Sequence, residues 1–247
     1  MAAFTYVRDR IEMSDALRNE LAAEMKFRKI TRGTTVCLMA REIVHAAQYT
    51  FALSEHPLIL VADSYDGNGG AIDTATRHLF PVAGGGPAHD ATPGGNGGNG
   101  ASASAITVIV QKVVNARLVA RGNPGGKGGD AADGANGSNA RRGEKLGGSM
   151  ECFPGRRGRD GGRAGNGGTG GNGGDVAIYY MTSQGDLVVD NGAGAGGKGG
   201  AKGADGKPGA DAGATCHGGE GGKGGGAGAV GQMGTHGTVT KTAVSDA

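Results

Sequence analysis

Apolar residues in this chain fall into short runs separated by long polar and glycine-rich stretches. The runs cover residues 35–44, 58–62, 106–110, 113–119, 176–181 and 187–189. They are short and rich in Val, Ile and Leu, which predicts strands. Ahead of them, residues 11–26 follow another period: Leu17, Leu21 and Met25 recur at every fourth position. With Ser14 as N-cap, Asp15 and Glu20 early and Lys26, Arg28 and Lys29 late, this predicts one short amphipathic helix. Its apolar stripe either caps the open end of the strand layers or docks on a neighbouring subunit. Capping ranks first, because repeat arrays need a polar lid. Near the C-terminus, T-V-T-K-T-A-V within residues 237–247 alternates as an edge strand does. It either closes the fold or pairs with the next subunit.

The runs repeat. First runs start at Thr35, Ile106 and Val176, which are 71 and 70 residues apart. Second runs are LILVADSYDGNGG from Leu58, ARLVARGNPGGKGG from Ala116 and DLVVDNGAGAGGKGG from Asp186. The last two copies share G-G-K-G-G-x-A around Lys127 and Lys198, and a further GGKGG surrounds Lys223. Self-similarity at a fixed period is the signature of stacked architectures. The chain divides into residues 1–30 (a helical connector or cap), 31–83 (a first β repeat) and 84–247 (a glycine-rich repeat region).

Composition then decides what lies between the strands. Of the 247 residues, 55 are glycine. From Gly165 the chain reads G-N-G-G-T-G-G-N-G-G, so Asn166, Thr169 and Asn172 stand at every third position. Such a chain packs backbone against backbone as polyglycine II, a left-handed three-residue helix without internal hydrogen bonds. Ordering glycine costs more backbone entropy than ordering any other residue, so many tracts must bond side by side. Five tracts are available: 84–100, 122–148, 155–174, 192–213 and 218–234. The third positions, held by Asn, Thr, Lys and Asp, are expected to face solvent or a partner. Disorder is the bland reading of this composition, and the apolar runs argue against it. A collagen triple helix needs a strict G-X-Y period and more than the 7 prolines present, and only residues 203–211 read that way. The expected fold is mainly β and irregular. It has a layered, solenoid-like β core, glycine-rich polyglycine II helices and one short N-terminal α-helix.

Charge and reactive residues narrow the function. Net charge is +2, from 25 basic and 23 acidic residues, too weak a field to imply nucleic acid. The sharpest charged feature runs from Arg141 to Arg163 and holds Arg141, Arg142, Lys145, Arg156, Arg157, Arg159 and Arg163. A solvated arm ranks first here, a subunit contact second and nucleic acid third, because Phe153 is the one aromatic nearby. Tyr179 and Tyr180 are strand neighbours and face opposite sides, one to the core and one to the surface. Cys37, Cys152 and Cys216 are odd in number and widely spaced, which indicates no internal disulfide framework and no zinc site. Each is a free thiol or an intermolecular crosslink. The six histidines lack metal spacing and read as surface residues. No catalytic residue, metal ligand or cofactor motif is identified, since G-x-G-x-x-G arises by chance in such glycine density. No signal-peptide pattern is seen at the N-terminus, and no apolar run approaches the roughly 20 residues of a membrane span. The expected product is made in the cytosol without a signal peptide and ends in an extracellular surface fibre or a virion.

The GGNGGTGGNGG run, the GGKGG repeats and the short variable insertions between them resemble the glycine-rich adhesins at the tips of T-even-type bacteriophage tail fibres. They also resemble bacterial glycine-rich, collagen-like surface proteins. The likeness spans residues 84–234. It implies a polyglycine II sandwich that attaches through its N-terminal region and binds a host surface receptor through loops at the far end. The chain departs from those adhesins in its charged N-terminal helix, in the apolar strands between its tracts and in having no tryptophan. The leading expectation is a non-enzymatic structural protein, a self-assembling subunit of a fibre or virion assembly. Its partners would be itself or other fibre subunits, joined through Leu17, Leu21, Met25, Val239 and Val244. The alternative is an adhesin for a cell-surface receptor. Arg156, Arg157, Arg159, Tyr179 and Tyr180 are the candidate contact residues. An ice-binding protein ranks lower, because charged third positions spoil a flat regular face.

Overall fold

Alternation of apolar and polar positions within the runs buries every second side chain of a strand. Phe4 and Tyr6, Val36 and Leu38, Leu58 and Leu60, and Ile106 and Val108 all point into one core. The computed structural model describes residues 3–75, 82–86, 92–144 and 149–245. In chain order the elements are β1 (Ala3–Val7), β2 (Arg10–Met13), α1 (Asp15–Phe27), β3 (Thr35–His45), β4 (Thr50–Ala52) and β5 (Leu58–Asp66). There follow β6 (Ala71–Asp73), β7 (Ile106–Val119), β8 (Arg141–Glu144), β9 (Met150–Phe153), β10 (Val176–Asp190) and β11 (Val239–Ala243). Nine strands form one sheet on the path β1-β3-β5-β7-β10-β11, with β2 beside β3 and β4 beside β6, which joins the far part of β7. Every pairing in that sheet is parallel. The described residues are thus mainly β with a single short helix.

Registry makes columns across the sheet. Phe4, Val36, Leu58, Ile106, Val176 and Val239 align in one, and Tyr6, Leu38, Leu60, Val108, Ile178 and Lys241 in the next but one. Ile106 pairs with Val176, as the repeat predicts. Leu58 does not behave as the second run of a first copy. It joins the column of the first runs, between Val36 and Ile106. Its inward set Leu58, Leu60 and Ala62 matches Val36, Leu38 and Ala40, and parallel strands stack on matching inward sets.

The long strands fold back on themselves. The first part of β7 pairs with β5, and Leu118 and Val119 pair with β6. Between them Asn115 takes φ 45°. Gly67, which precedes Asn68 (φ 42°), and Gly185 (φ 71°) lie against it at the corresponding bends. A side chain at Gly185 would combine that backbone with a collision on Asn115 Oδ1. The return brings Ala120 beside Gly174, whose N–H donates to its carbonyl.

The N-terminal 30 residues hold more than a helix, because β1 and β2 occupy the edge of the sheet. Ser14 caps α1 as expected, its Oγ accepting from the Leu17 N–H at 3.4 Å. Leu17 and Leu21 are buried in the chain's own core, and Met25 is packed partly against it. They are therefore not free to dock a partner, which corrects their expected role as connectors. At the other edge β11 pairs with β10 of the same chain, the first of the two roles that the C-terminal alternation left open. Val239 and Val244 remain half exposed there.

Beyond the strand ends the glycine tracts continue the same ladders. Gly94, Gly97, Gly100 and Ala103 donate to the carbonyls of Arg163, Asn166, Thr169 and Asn172, a parallel pairing with one bond every third residue. Gly122, Gly125 and Gly128 donate likewise to Gly192, Ala195 and Lys198, and Gly167, Gly170 and Gly173 to Ala229, Gln232 and Thr235. Antiparallel bonds link the two rows: Gly165, Gly168 and Gly171 donate to Gly129, Gly126 and Asn123. Residues 94–103, 155–174 and 218–238 thus make one row, and residues 120–140 and 191–210 the other. The tract expected over 122–148 stops at Ala140, where the β8–β9 hairpin begins. The 203–210 stretch bonds like the other tracts.

Candidate functional site

In the G-G-x stretches of the tracts, glycine stands where a neighbouring backbone occupies the place of the side chain. A Cβ on Gly168 would lie on the Gly98 carbonyl, and one on Gly197 on the Gly126 carbonyl. The third position has another task than the one expected of it. Asn96 Oδ1 accepts from the Asn166 N–H at 2.9 Å, and Asn99 Oδ1 from the Thr169 N–H at 3.1 Å. Asn166 in turn accepts from Ala229 at 3.0 Å, and Asn172 from Thr235 at 2.9 Å. Asp130, Asp133, Asn136 and Asn139 serve Ala201, Ala204, Lys207 and Ala210 in the other row. These N–H groups point away from both bonded neighbours, and the Asx side chain of the adjacent parallel tract satisfies them. Asn96 and Asn99 are thus rungs between tracts. The backbone N–H of Ala201 holds the Asp130 carboxyl below its ordinary range, with help from Lys127, and the N–H and hydroxyl of Thr238 do the same for Asp175.

Where the tracts turn, the chain builds a tip. The β8–β9 hairpin lies at the turn between residues 140 and 155, and a compact loop at 211–217 joins the next two tracts. A disulfide ties them: Cys152 is bonded to Cys216 across a sequence separation of 64. This corrects the expectation that all three cysteines are free or intermolecular, and Cys37 alone is a free thiol. Burial pushes the Cys37 thiol up. Wide spacing concealed the pair because two tract hairpins of matching length bring their ends together. At the tip Asp211 accepts from the Gly218 N–H at 2.6 Å, which lowers its pKa, with His217 adding to the effect. Arg142 reaches Thr215 Oγ1 at 3.4 Å. Met150 is 66% and Phe153 51% exposed. A Cβ on Gly143 would come within 3.0 Å of the Phe153 ring, so that ring lies across the hairpin with its other side open.

The predicted contact residues divide between two places. Arg156, Arg157 and Arg159 are exposed next to the tip. Tyr179 and Tyr180 lie far from it, on β10. Tyr180 packs partly against the core, whereas Tyr179 aligns with Val7, Met39, Val61 and Ile109 on the outer side of the sheet. These residues line a shallow hollow of about 760 Å³, bordered by Arg8, Asp9, Arg41 and Asp63. Arg41 stands 3.9 Å from Asp9 and 4.0 Å from Asp63. Nothing in the run of single residues signalled this stripe, because it exists only across five strands.

One histidine contradicts the surface reading. His45 is buried, with Nδ1 3.0 Å from the Tyr49 carbonyl and Nε2 2.9 Å from the Tyr65 hydroxyl. A neutral ring in this setting donates from Nδ1 and accepts at Nε2. Burial lowers the His45 pKa against opposing pulls from the Tyr49 carbonyl and Asp66, and burial raises that of Tyr65. His78, His89 and Lys145 lie outside the described residues. Among the described residues no cluster of three or more His, Cys, Asp or Glu is placed to hold a metal ion. Among the described residues no helix is long and apolar enough to cross a membrane. Comparison of the chain with protein-family models, with curated proteins and with solved structures finds no match.

Proposed function

We propose that this protein is a non-enzymatic display module of the adhesin kind, a base carrying a rigid arm whose tip meets a receptor on a surface. The base is read as a β-solenoid, with each long strand folding back once per coil. The arm is read as a two-row polyglycine II sandwich. At about 3.1 Å per residue, a tract of some twenty residues extends about 60 Å. The tip is the part that does not repeat.

The single observation carrying this reading is that the tracts bond to one another within one chain, every third residue, up to a disulfide-tied end. Tracts left half-paired would expose rows of N–H and C=O groups and draw in other copies, and the pairing within the chain removes much of that need. Two further features oppose stacking by copies. Lys241 occupies the core column at the open edge of the sheet, its Nζ donating to the Leu187 carbonyl at 2.9 Å. A charge turned inward on an edge strand discourages another strand from joining. Val230 and Met233 stand in the last tract where Gly167 and Gly170 stand in the tract before it, and they are 71% and 62% exposed. Another tract laid there would meet side chains instead of backbone. A disulfide favours an oxidising setting, in keeping with an extracellular or virion surface.

A second reading, a subunit of a fibre, draws on the half-exposed Val239 and Val244 at β11 and on the apolar stripe of the outer sheet face. Negative-stain electron microscopy of the purified protein separates the two. Discrete elongated particles, with and without reductant, are expected. Uniform filaments overturn the display reading in favour of the fibre subunit.

A further inference from the structure

The tract that leads back from the tip carries arginine where its continuation carries glycine. Gly165, Gly168, Gly171 and Gly174 face the carbonyls of Gly95, Gly98, Ala101 and Ser104 in the neighbouring tract, which leave no room for a Cβ. Counting back toward the tip by threes, the same face of the helix holds Gly162, then Arg159 and Arg156. Both arginines are exposed. Their backbones stay in the bundle: the Arg159 N–H donates to Ala135, and the Arg156 N–H to Ser138 Oγ at 2.7 Å. A rigid backbone therefore presents two guanidinium groups one three-residue period apart, about 9 Å along the arm. Neither has a carboxylate partner among the described residues. Arg157 and Arg163 form a second line on the adjacent face, where Asp160 holds Arg157 at 3.2 Å. Residues 141–163 hold seven basic and three acidic residues, an excess of four in a chain of net charge +2. The rest of the protein is therefore net acidic, and the positive field belongs to this end of the arm.

We infer that this arginine stripe, together with the open face of Phe153, binds a linear acidic polysaccharide whose carboxylates recur at about the 9 Å period of the arm. The inference rests on the display reading and names the ligand class of its tip. Guanidinium groups pair with carboxylates through two parallel hydrogen bonds, which suits a fixed spacing. An exposed aromatic ring at the end of the stripe offers a flat apolar surface to the C–H face of a sugar. Nucleic acid fits less well. Its phosphates repeat at about 3.4 Å of axis per strand, and stacking on bases calls for several aromatic platforms where the stripe has one.

The test is titration calorimetry of the full chain at low salt against four probes. These are hyaluronan oligosaccharides (one carboxylate per two sugars), polygalacturonate (one per sugar), single-stranded DNA, and vesicles containing phosphatidylserine. Hyaluronan is expected to bind most tightly. Arg156→Ala with Arg159→Ala should weaken it at least tenfold, Arg156→Lys with Arg159→Lys should weaken it less, and Lys198→Ala in the other row should leave it unchanged. Phe153→Ala should weaken sugar binding with no change in its salt dependence. Tighter binding of DNA or vesicles, binding indifferent to the arginine pair, or no binding of any probe overturns the inference. If particles in micrographs stay discrete and elongated in those cases, the display reading survives. Filaments or unextended particles sink that reading by itself.

Discussion

In the sheet, Leu60 and Val108 sit side by side out of water, and each strand is held by what it buries on its inner side. In the tracts, Gly168 and Gly126 sit side by side with no side chain to bury, and a 2.9 Å backbone bond joins them. The two regions share one parallel register, since the β7–β10 pairing runs on into the pairing of Gly122 with Gly192. They differ in what fills the space between backbones. A strand spacing of about 4.8 Å leaves side chains to pack above and below, whereas the tracts close until carbonyls occupy the place of a Cβ. The sheet therefore tolerates exchange among apolar residues of similar volume, and the tracts tolerate no side chain at a glycine whose Cβ would fall on a neighbouring carbonyl. The lesson is that glycine acts here as a packing residue.

The sharpest way to break the comparison is from the sheet side. Leu60→Ala should destabilise the protein by about 2–5 kcal/mol through lost burial and a cavity, read as a fall in urea midpoint. Removing the disulfide with Cys152→Ser should cost about 2–4 kcal/mol by freeing a long loop. Hydrogen exchange should then rise first at residues 211–217, with the sheet amides still protected. Exchange rising first in the sheet would mean the arm is not an independent opening unit. Next comes Gly168→Ala, expected to cost about 1–3 kcal/mol because its Cβ lands on the Gly98 carbonyl. Its counterpart Gly226→Ala meets nothing nearer than Arg163 Cγ at 3.7 Å, and should shift stability by less than about 0.5 kcal/mol. Equal effects from the two would refute the packing role of glycine. Asn166→Ala removes one rung, an exposed bond worth about 1 kcal/mol, and faster exchange at the Ala229 amide is the specific readout.

Acid should separate the regions most gently. The His45 pKa is lowered in the folded state, so its contribution is full above the ordinary value of about 6.5 and is lost as pH falls through the lowered folded value. Asp130 and Asp175 are also lowered, so the tracts lose their share only below the ordinary carboxylate range near 3.9. Thermal melts at pH 7, 5 and 3 should show the sheet weakening before the tracts. His45→Gln should flatten the first step, and an unchanged profile in that variant would remove the buried histidine from the account.

Local signals carried a good part of the fold. The strand runs, the Ser14 cap, the three-residue glycine period and the Ile106–Val176 spacing all appear in the structure, because each follows from neighbours along the chain. The candidate site was visible only in pieces. The arginine run stood out by charge, but its division into the Arg156–Arg159 stripe and a line where Asp160 holds Arg157 depends on where the neighbouring tract ends. The Tyr179 stripe needs five strands to exist at all. Lys241 reads as an ordinary alternation residue until its column is known.

What the sequence determined by itself is the repertoire: strands that bury alternate residues, a helix with one apolar stripe, and glycine tracts in which a side chain is admitted at every third place. What only the tertiary structure decided is adjacency. It placed Leu58 between Val36 and Ile106, turned Asn96 and Asn166 into rungs, buried His45 against Tyr65 and joined Cys152 to Cys216. The physical reason is the range of the forces involved. Backbone preference and periodicity act over a few residues, whereas stacking order is settled by burial and hydrogen bonding between segments tens of residues apart. The same G-G-x pattern is compatible with many orders until the apolar strands fix one.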